Sequence, residues 1–194
     1  ENDVTGLIIE ERTPAEMVLW RTTDTAQEDL SDALDDDDVD AVEAVNTAVE
    51  DGVVTQTDTI ALDTDGDSSD ILVHQVTADG LEGALAAVSA DDDSATTQLY
   101  NLLSTSNNGG LSTSTDNDNA SSLTLTEQNP GRNADPKTVD VAADLTQTQF
   151  EEAFTVVYDE SSSNYYILLD SDDISAFADG DEFTVELTVQ DQRL

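Results

Sequence analysis

The chain has 194 residues, with 45 Asp and Glu against 5 Lys and Arg, a single His, and a formal net charge of −40. So little Lys and Arg cannot replace the counterions around phosphates, which argues against nucleic acid as a partner. Zero Cys excludes disulfides, cysteine-type zinc sites and thiol catalysis.

Charged residues make up 26% of the chain, an ordinary fraction, so the anomaly is missing lysine and not an excess of ionisable groups. Two readings compete: a disordered acidic chain, or a folded domain in concentrated salt. At about 1 M salt the Debye length falls to roughly 3 Å, and surface carboxylates cease to repel over most of their separations. Hydrophobic residues are 37% of the total and fall into strand and helix periods, which favours the folded reading. No apolar run approaches the about 18 residues of a membrane span. The start, "ENDVTG", has no basic or apolar leader. The expectation is a soluble chain whose secretion signal or anchor lies outside these residues.

In chain order, "VTGLIIEER" reads as a strand centred on Leu7, Ile8 and Ile9. In "RTPAEMVLWRT", Thr13, Pro14 and Glu16 supply the cap, first-turn proline and third-position acid of a short helix, although "MVLW" also fits a strand. A second helix is expected from Thr25 to Leu34. Val42, Val45 and Val49 recur at helical spacing, and of the four aspartates Asp35 to Asp38 before them, Asp36 to Asp38 suit an N-cap and first turn at the positive end of a helix dipole, with cation binding as the alternative. "DGVVTQTDTIALD" and "ILVHQV" read as two strands joined by an acidic loop, the first ending near Leu62 and the second running from Ile71 to Val76. "LEGALAAV" and "ATTQLYNLLS" read as helices with Leu81, Leu85, Val88, Leu99, Leu102 and Leu103 turned to a core.

"STSNNGGLSTSTDNDNAS" offers almost nothing to bury and reads as a linker or mobile loop. After it the texture is β: "SLTLTEQ", the turn "NPGRNADP", "KTVDVAA", "FTVVYDE", "NYYILLD" and "DEFTVELTVQ". Alternation on both sides of "DESSSN" predicts a hairpin, while "TQTQFEEAF" and "DDISAF" predict single helical turns. The fold class is α+β: a mixed region at 1–104 with an acidic loop at 63–70, a polar linker at 105–121, and a β-rich, sandwich-like (immunoglobulin-like) module at 122–194.

Asp63, Asp65, Asp67 and Asp70 in "DTDGDSSD" can bring several carboxylate oxygens to one point, which suits a hard cation, calcium or magnesium. The spacing departs from an EF-hand, with Gly66 one position early and no late Glu, and Ser68 stands where short extracellular calcium loops have glycine. The alternative is a solvated turn. Asn119, Ala120 and Ser121 form an N-glycosylation sequon. His74, in "ILVHQV", reads as a structural residue, and Trp20, Tyr165 and Tyr166 as core or cross-strand packing. Nucleophile elbows, paired metal histidines, phosphate loops and dinucleotide glycine patterns are absent, which argues against an enzyme.

"SLTLTEQNPGRNADPKTVDVAADL", "FTVVYDE" and "FADGDEFTVELTVQDQRL" resemble the strand modules of haloarchaeal cell-surface glycoproteins of the S-layer type. The resemblance implies an exported, extracellular, non-catalytic envelope component that self-assembles or meets other surface proteins. The segment "EERTPAEMVLWRTTD" departs from a plain immunoglobulin-like array. A virion subunit of a halophilic archaeal virus, whether tail, capsid or decoration, is the alternative that composition leaves open.

Overall fold

A computed structural model describes residues 16–22, 41–52, 54–56, 60–61, 71–78, 80–90, 92–104, 121–132, 134–159, 164–170, 174, 176 and 182–189. Nine strands are described: β1 (Glu16–Thr22), β2 (Val54–Gln56), β3 (Ile60–Ala61), β4 (Ile71–Thr77), β5 (Ser122–Glu127), β6 (Thr138–Asp140), β7 (Phe154–Asp159), β8 (Asn164–Asp170) and β9 (Glu182–Thr188). The helices described are α1 (Ala41–Glu50), α2 (Leu81–Ala86), α3 (Ala95–Leu103), α4 (Val141–Asp144) and α5 (Gln147–Ala153). The strands form a five-stranded sheet, β2-β1-β4-β8-β7, and a four-stranded sheet, β3-β9-β5-β6. Every pairing is antiparallel. Helices with antiparallel sheets make the fold α+β.

Burial explains the texture of each strand. In β4 and β8, at the middle of the five-stranded sheet, Ile71 to His74 and Tyr165 to Leu169 are all buried, so both read as continuous apolar runs. In β5, Leu123, Leu125 and Glu127 are buried while Ser122, Thr124 and Thr126 are half-buried, the alternation of a strand with one covered face. One core takes Leu72, Val76, Ile167 and Leu169 from the larger sheet, Leu123, Leu125, Val139 and Phe183 from the smaller, and Leu85, Leu99, Leu102 and Phe150 from helices. Two sheets facing one core make the arrangement sandwich-like. The opposite face of the larger sheet carries a second core, where Ile71, Val73, Val157, Tyr166 and Leu168 meet Val45 and Ala48 of α1.

The strands on either side of 105–121 mix. The larger sheet joins β1, β2 and β4 to β7 and β8, and the smaller joins β3 to β5, β6 and β9. Residues 1–104 and 122–194 therefore contribute to both sheets.

Three local expectations are corrected. Glu16–Thr22 is a strand and not a helix. Met17 packs on the larger core and Trp20 on the second, so both faces of β1 are covered, and pairing with β2 and β4 outweighs the local start signals. "DGVVTQTDTIALD" holds two short strands, because β2 pairs with β1 of the larger sheet and β3 with β9 of the smaller. "KTVDVAA" is strand only to Asp140, whose side chain then accepts from the Ala143 N–H at 3.3 Å and starts α4.

Elsewhere the helical spacing holds. Val45 is buried in α1, and Leu81, Leu85, Leu99, Leu102 and Leu103 are buried, with Val88 half-buried. β7 and β8 pair as a hairpin from Phe154↔Leu169 to Asp159↔Asn164. The expected strand at 4–12, the helix from Thr25 to Leu34 and Asp35 to Asp38 lie outside the described residues. Of "DDISAF", Ile174 is described, and it is buried in the larger core. Among the described residues no helix is long and apolar enough to cross a membrane.

Candidate functional site

Asp63, Asp65, Asp67, Asp70 and Asn119 lie outside the described residues, but their points of attachment are fixed. The acidic stretch leaves β3 at Ala61, on the rim of the smaller sheet, and rejoins at Ile71, where β4 lies between β1 and β8. The sequon ends at Ser121, which is buried, and β5 begins at the next residue. β9 measures the separation: Ala61 pairs with Glu182 and Ser122 with Thr188. Six residues of strand span about 20 Å. The two candidate sites therefore attach at opposite ends of one sheet.

His74 is 2% exposed, on the face of β4 that carries Leu72 and Val76. Its Nδ1–H donates to the Ile167 carbonyl at 3.1 Å, and Nε2 is buried without a hydrogen-bond partner. Burial lowers its pKa from 6.5 to about 4, the bond to Ile167 opposing the shift. Desolvation without a charged partner makes a neutral core residue, not an acid–base catalyst. Tyr165 stacks across the hairpin on Tyr158, ring centroids 4.5 Å apart, and burial raises its pKa. The Tyr166 hydroxyl donates to Asn46 Oδ1 at 3.1 Å, tying β8 to α1. Trp20 packs on the second core. All three aromatics expected to pack are thus occupied with packing.

The most built surface feature is the connection between β5 and β6, read from the sequence only as a turn. Glu127 closes its base twice, its N–H donating to the Lys137 carbonyl and its Oε2 accepting from the Lys137 N–H, both at 2.9 Å. On the other flank the Gln128 N–H donates to the Glu182 carbonyl at 2.7 Å and Gln128 Nε2 to Thr184 Oγ1 at 2.8 Å. Asn129 Nδ2 donates to Glu182 Oε2. Inside the loop the Ala134 N–H donates to the Gly131 carbonyl at 2.8 Å. Pro130 and Pro136, two of the chain's three prolines, stiffen it further. Arg132 and Lys137 are exposed here, whereas Arg21 is half-buried in β1. Every exposed cation among the described residues thus sits on this one loop. Two prolines and two of five cations within eight residues were the available signal.

No family model and no solved structure matches the chain. Two curated proteins do. A cell surface glycoprotein of Haloferax gibbonsii is 28% identical over 175 residues, 90% of this chain and 15% of that protein. The chain is thus similar to a haloarchaeal cell surface glycoprotein. Cell surface glycoprotein 2 of Haloarcula hispanica is 29% identical over 160 residues, 80% of this chain and 15% of its own length. The chain spans about one-seventh of the length of either surface glycoprotein. Both of these relatives are named as cell surface proteins.

Proposed function

We propose that the chain is a non-catalytic structural segment of a haloarchaeal surface layer or adhesive assembly, adapted to brine by its acidic exterior. The similarity to two cell surface glycoproteins over 80–90% of the chain carries this reading. The fold supports it. Buried residues of both sheets and the helices fill one continuous interior, and the lone histidine is neutral and enclosed. The role of such a segment is mechanical: paired strands hold a hydrated carboxylate surface in register. Self-association or contact with other surface proteins follows from that role.

Two finer features belong to the same reading. Calcium or magnesium binds among Asp63, Asp65, Asp67 and Asp70, neutralising charge clustered along the sequence. A glycan occupies Asn119. The virion alternative draws no support from either relative.

Brief protease treatment of intact producing cells in high salt, followed by peptide mass spectrometry, tests the location and the modification together. Peptides of this chain should be released before lysis, with added sugar mass on the one containing Asn119. Release only after lysis overturns the surface reading. An unmodified Asn119 peptide overturns the glycan alone.

A further inference from the structure

Tyr158 of β7 and Tyr165 of β8 stand directly opposite one another in the hairpin, and their rings stack with centroids 4.5 Å apart and planes inclined by 22°. The pairing of the strands holds this contact in place. All four tyrosines of the chain are described, and this is the one ring contact among the described residues that joins two of them. Tyr100 meets Phe150 instead. Tyr166, the next residue along β8, turns to the second core, where its hydroxyl is bonded to Asn46.

Two stacked phenols have a chemistry that a Tyr–Phe or Phe–Phe pair lacks. A phenol gives up an electron and its hydroxyl proton to a one-electron oxidant, and the radical left behind carries spin on the ring carbons beside the oxygen. Two such radicals already in contact couple there before either meets a partner in solution. Tyr158 is half-buried, which leaves part of it open to an oxidant in the solvent, whereas Tyr165 is buried behind it against the larger core. Contact between the rings carries the oxidation inward.

We propose that Tyr158 and Tyr165 form an oxidative crosslinking site, at which a one-electron oxidant joins the two rings into a dityrosine across the β7–β8 hairpin. Each ring loses one electron to the oxidant and one phenolic proton, from Tyr158 to solvent and from Tyr165 to the carboxylate of Glu82, whose charge bears on that hydroxyl. A bond then forms between one Cε of each ring, and the hydrogen on each of these carbons moves to its phenolic oxygen as the rings regain aromaticity. The product is the chain less two hydrogen atoms, with two equivalents of oxidant reduced. The chain has no Cys, so this bond closes the hairpin without sulfur and no thiol reductant opens it.

The test oxidant is tris(bipyridine)ruthenium(III), added to a dilute solution of the chain in concentrated potassium chloride. The product should show the blue fluorescence of a coupled biphenol at unchanged molecular size. Cleavage after Glu160 parts Tyr158 from Tyr165, so mass spectrometry should find the two flanking peptides joined, lighter by two hydrogen atoms, with the junction at these residues. Tyr158→Phe keeps a ring in the stack and should abolish the joined species, while Tyr100→Phe should leave it. Unfolding in urea before oxidation should lower the yield by roughly tenfold. Absence of the joined peptides from the folded wild type, a junction at Tyr166, or a yield that persists in Tyr158→Phe or in urea would each overturn the site.

Discussion

His74 stands directly opposite Ile167 across the centre of the larger sheet and gives its Nδ1 proton to that residue's own carbonyl, 3.1 Å away. The unfolded chain takes up a proton on this ring near pH 6.5, the folded chain only near pH 4. Between those values the unfolded state binds more protons, so stability falls as pH drops from 6.5 to 4; above 6.5 both states are neutral there. The wild type should lose about 3 kcal/mol more than His74→Leu across that window. Urea titrations of both proteins at constant salt measure this, and comparing the two cancels the titration of the carboxylates. Equal pH slopes would show that the ring is not kept neutral by burial.

Thr96 Oγ1 accepts from the Val156 N–H at 3.0 Å, so the N-terminal turn of α3 occupies part of the outer edge of β7. An edge strand left open is a template for unwanted pairing. Thr96→Val should cost about 1–2 kcal/mol, because a part-buried donor loses its acceptor. It should also raise aggregation on heating, read by light scattering. Thr96→Ser, which keeps the oxygen, should recover most of both effects.

Phe150 is fully buried, stacked at 4.7 Å on Phe154 and tilted at 5.4 Å against Tyr100. It is where α5, α3 and β7 meet. Phe150→Ala should lower stability by about 3–5 kcal/mol and Phe150→Leu by distinctly less. Denaturant midpoints with an unchanged slope check this. A loss below 1 kcal/mol would mean that the neighbouring elements close the space.

With a formal charge of −40 the fold should depend on electrolyte. Lowering salt from about 1 M to about 0.1 M lengthens the Debye length from roughly 3 Å to roughly 10 Å and brings neighbouring carboxylates into each other's fields. Circular dichroism should show a cooperative melt in concentrated potassium chloride and a lower or lost melt in dilute buffer. A melt that is unchanged by dialysis would remove the case for adaptation to brine.

For the cation reading, calorimetric titration of calcium into the chain in concentrated potassium chloride should give a saturable heat that disappears in Asp65→Ala. Magnesium should compete, and more weakly, since it gives up its water reluctantly. The absence of heat in the wild type would dispose of the site.

Much of the fold was legible where one face of an element meets the core. Val42, Val45 and Val49, or Leu99, Leu102 and Leu103, mark a helix because burial follows the 3.6-residue period; Leu123 and Leu125 mark a strand because it follows the two-residue period. β1 was obscured because both its faces are covered and a helix-start pattern precedes it. The break between β2 and β3 was hidden because periodicity tells which way side chains point but not which neighbour a strand pairs with. At the candidate sites the chemistry of Asp63 to Asp70 and of Asn119 was readable from residue type, whereas the attachment of Ala61 and Ser122 at opposite ends of β9 comes only from the pairing of β9 with β3 and β5. The stiffness around Arg132 was invisible because it rests on contacts of Gln128 and Asn129 with β9, more than fifty residues further on.

The interleaving of strands across residues 105–120 also governs how this unit can be cut or moved. A nick there would set no fragment free, since each piece supplies strands that the other needs in both sheets. A gene shuffled at that point would encode two halves with their interiors laid bare. Within a longer surface protein this stretch can be transplanted or lost only as a whole.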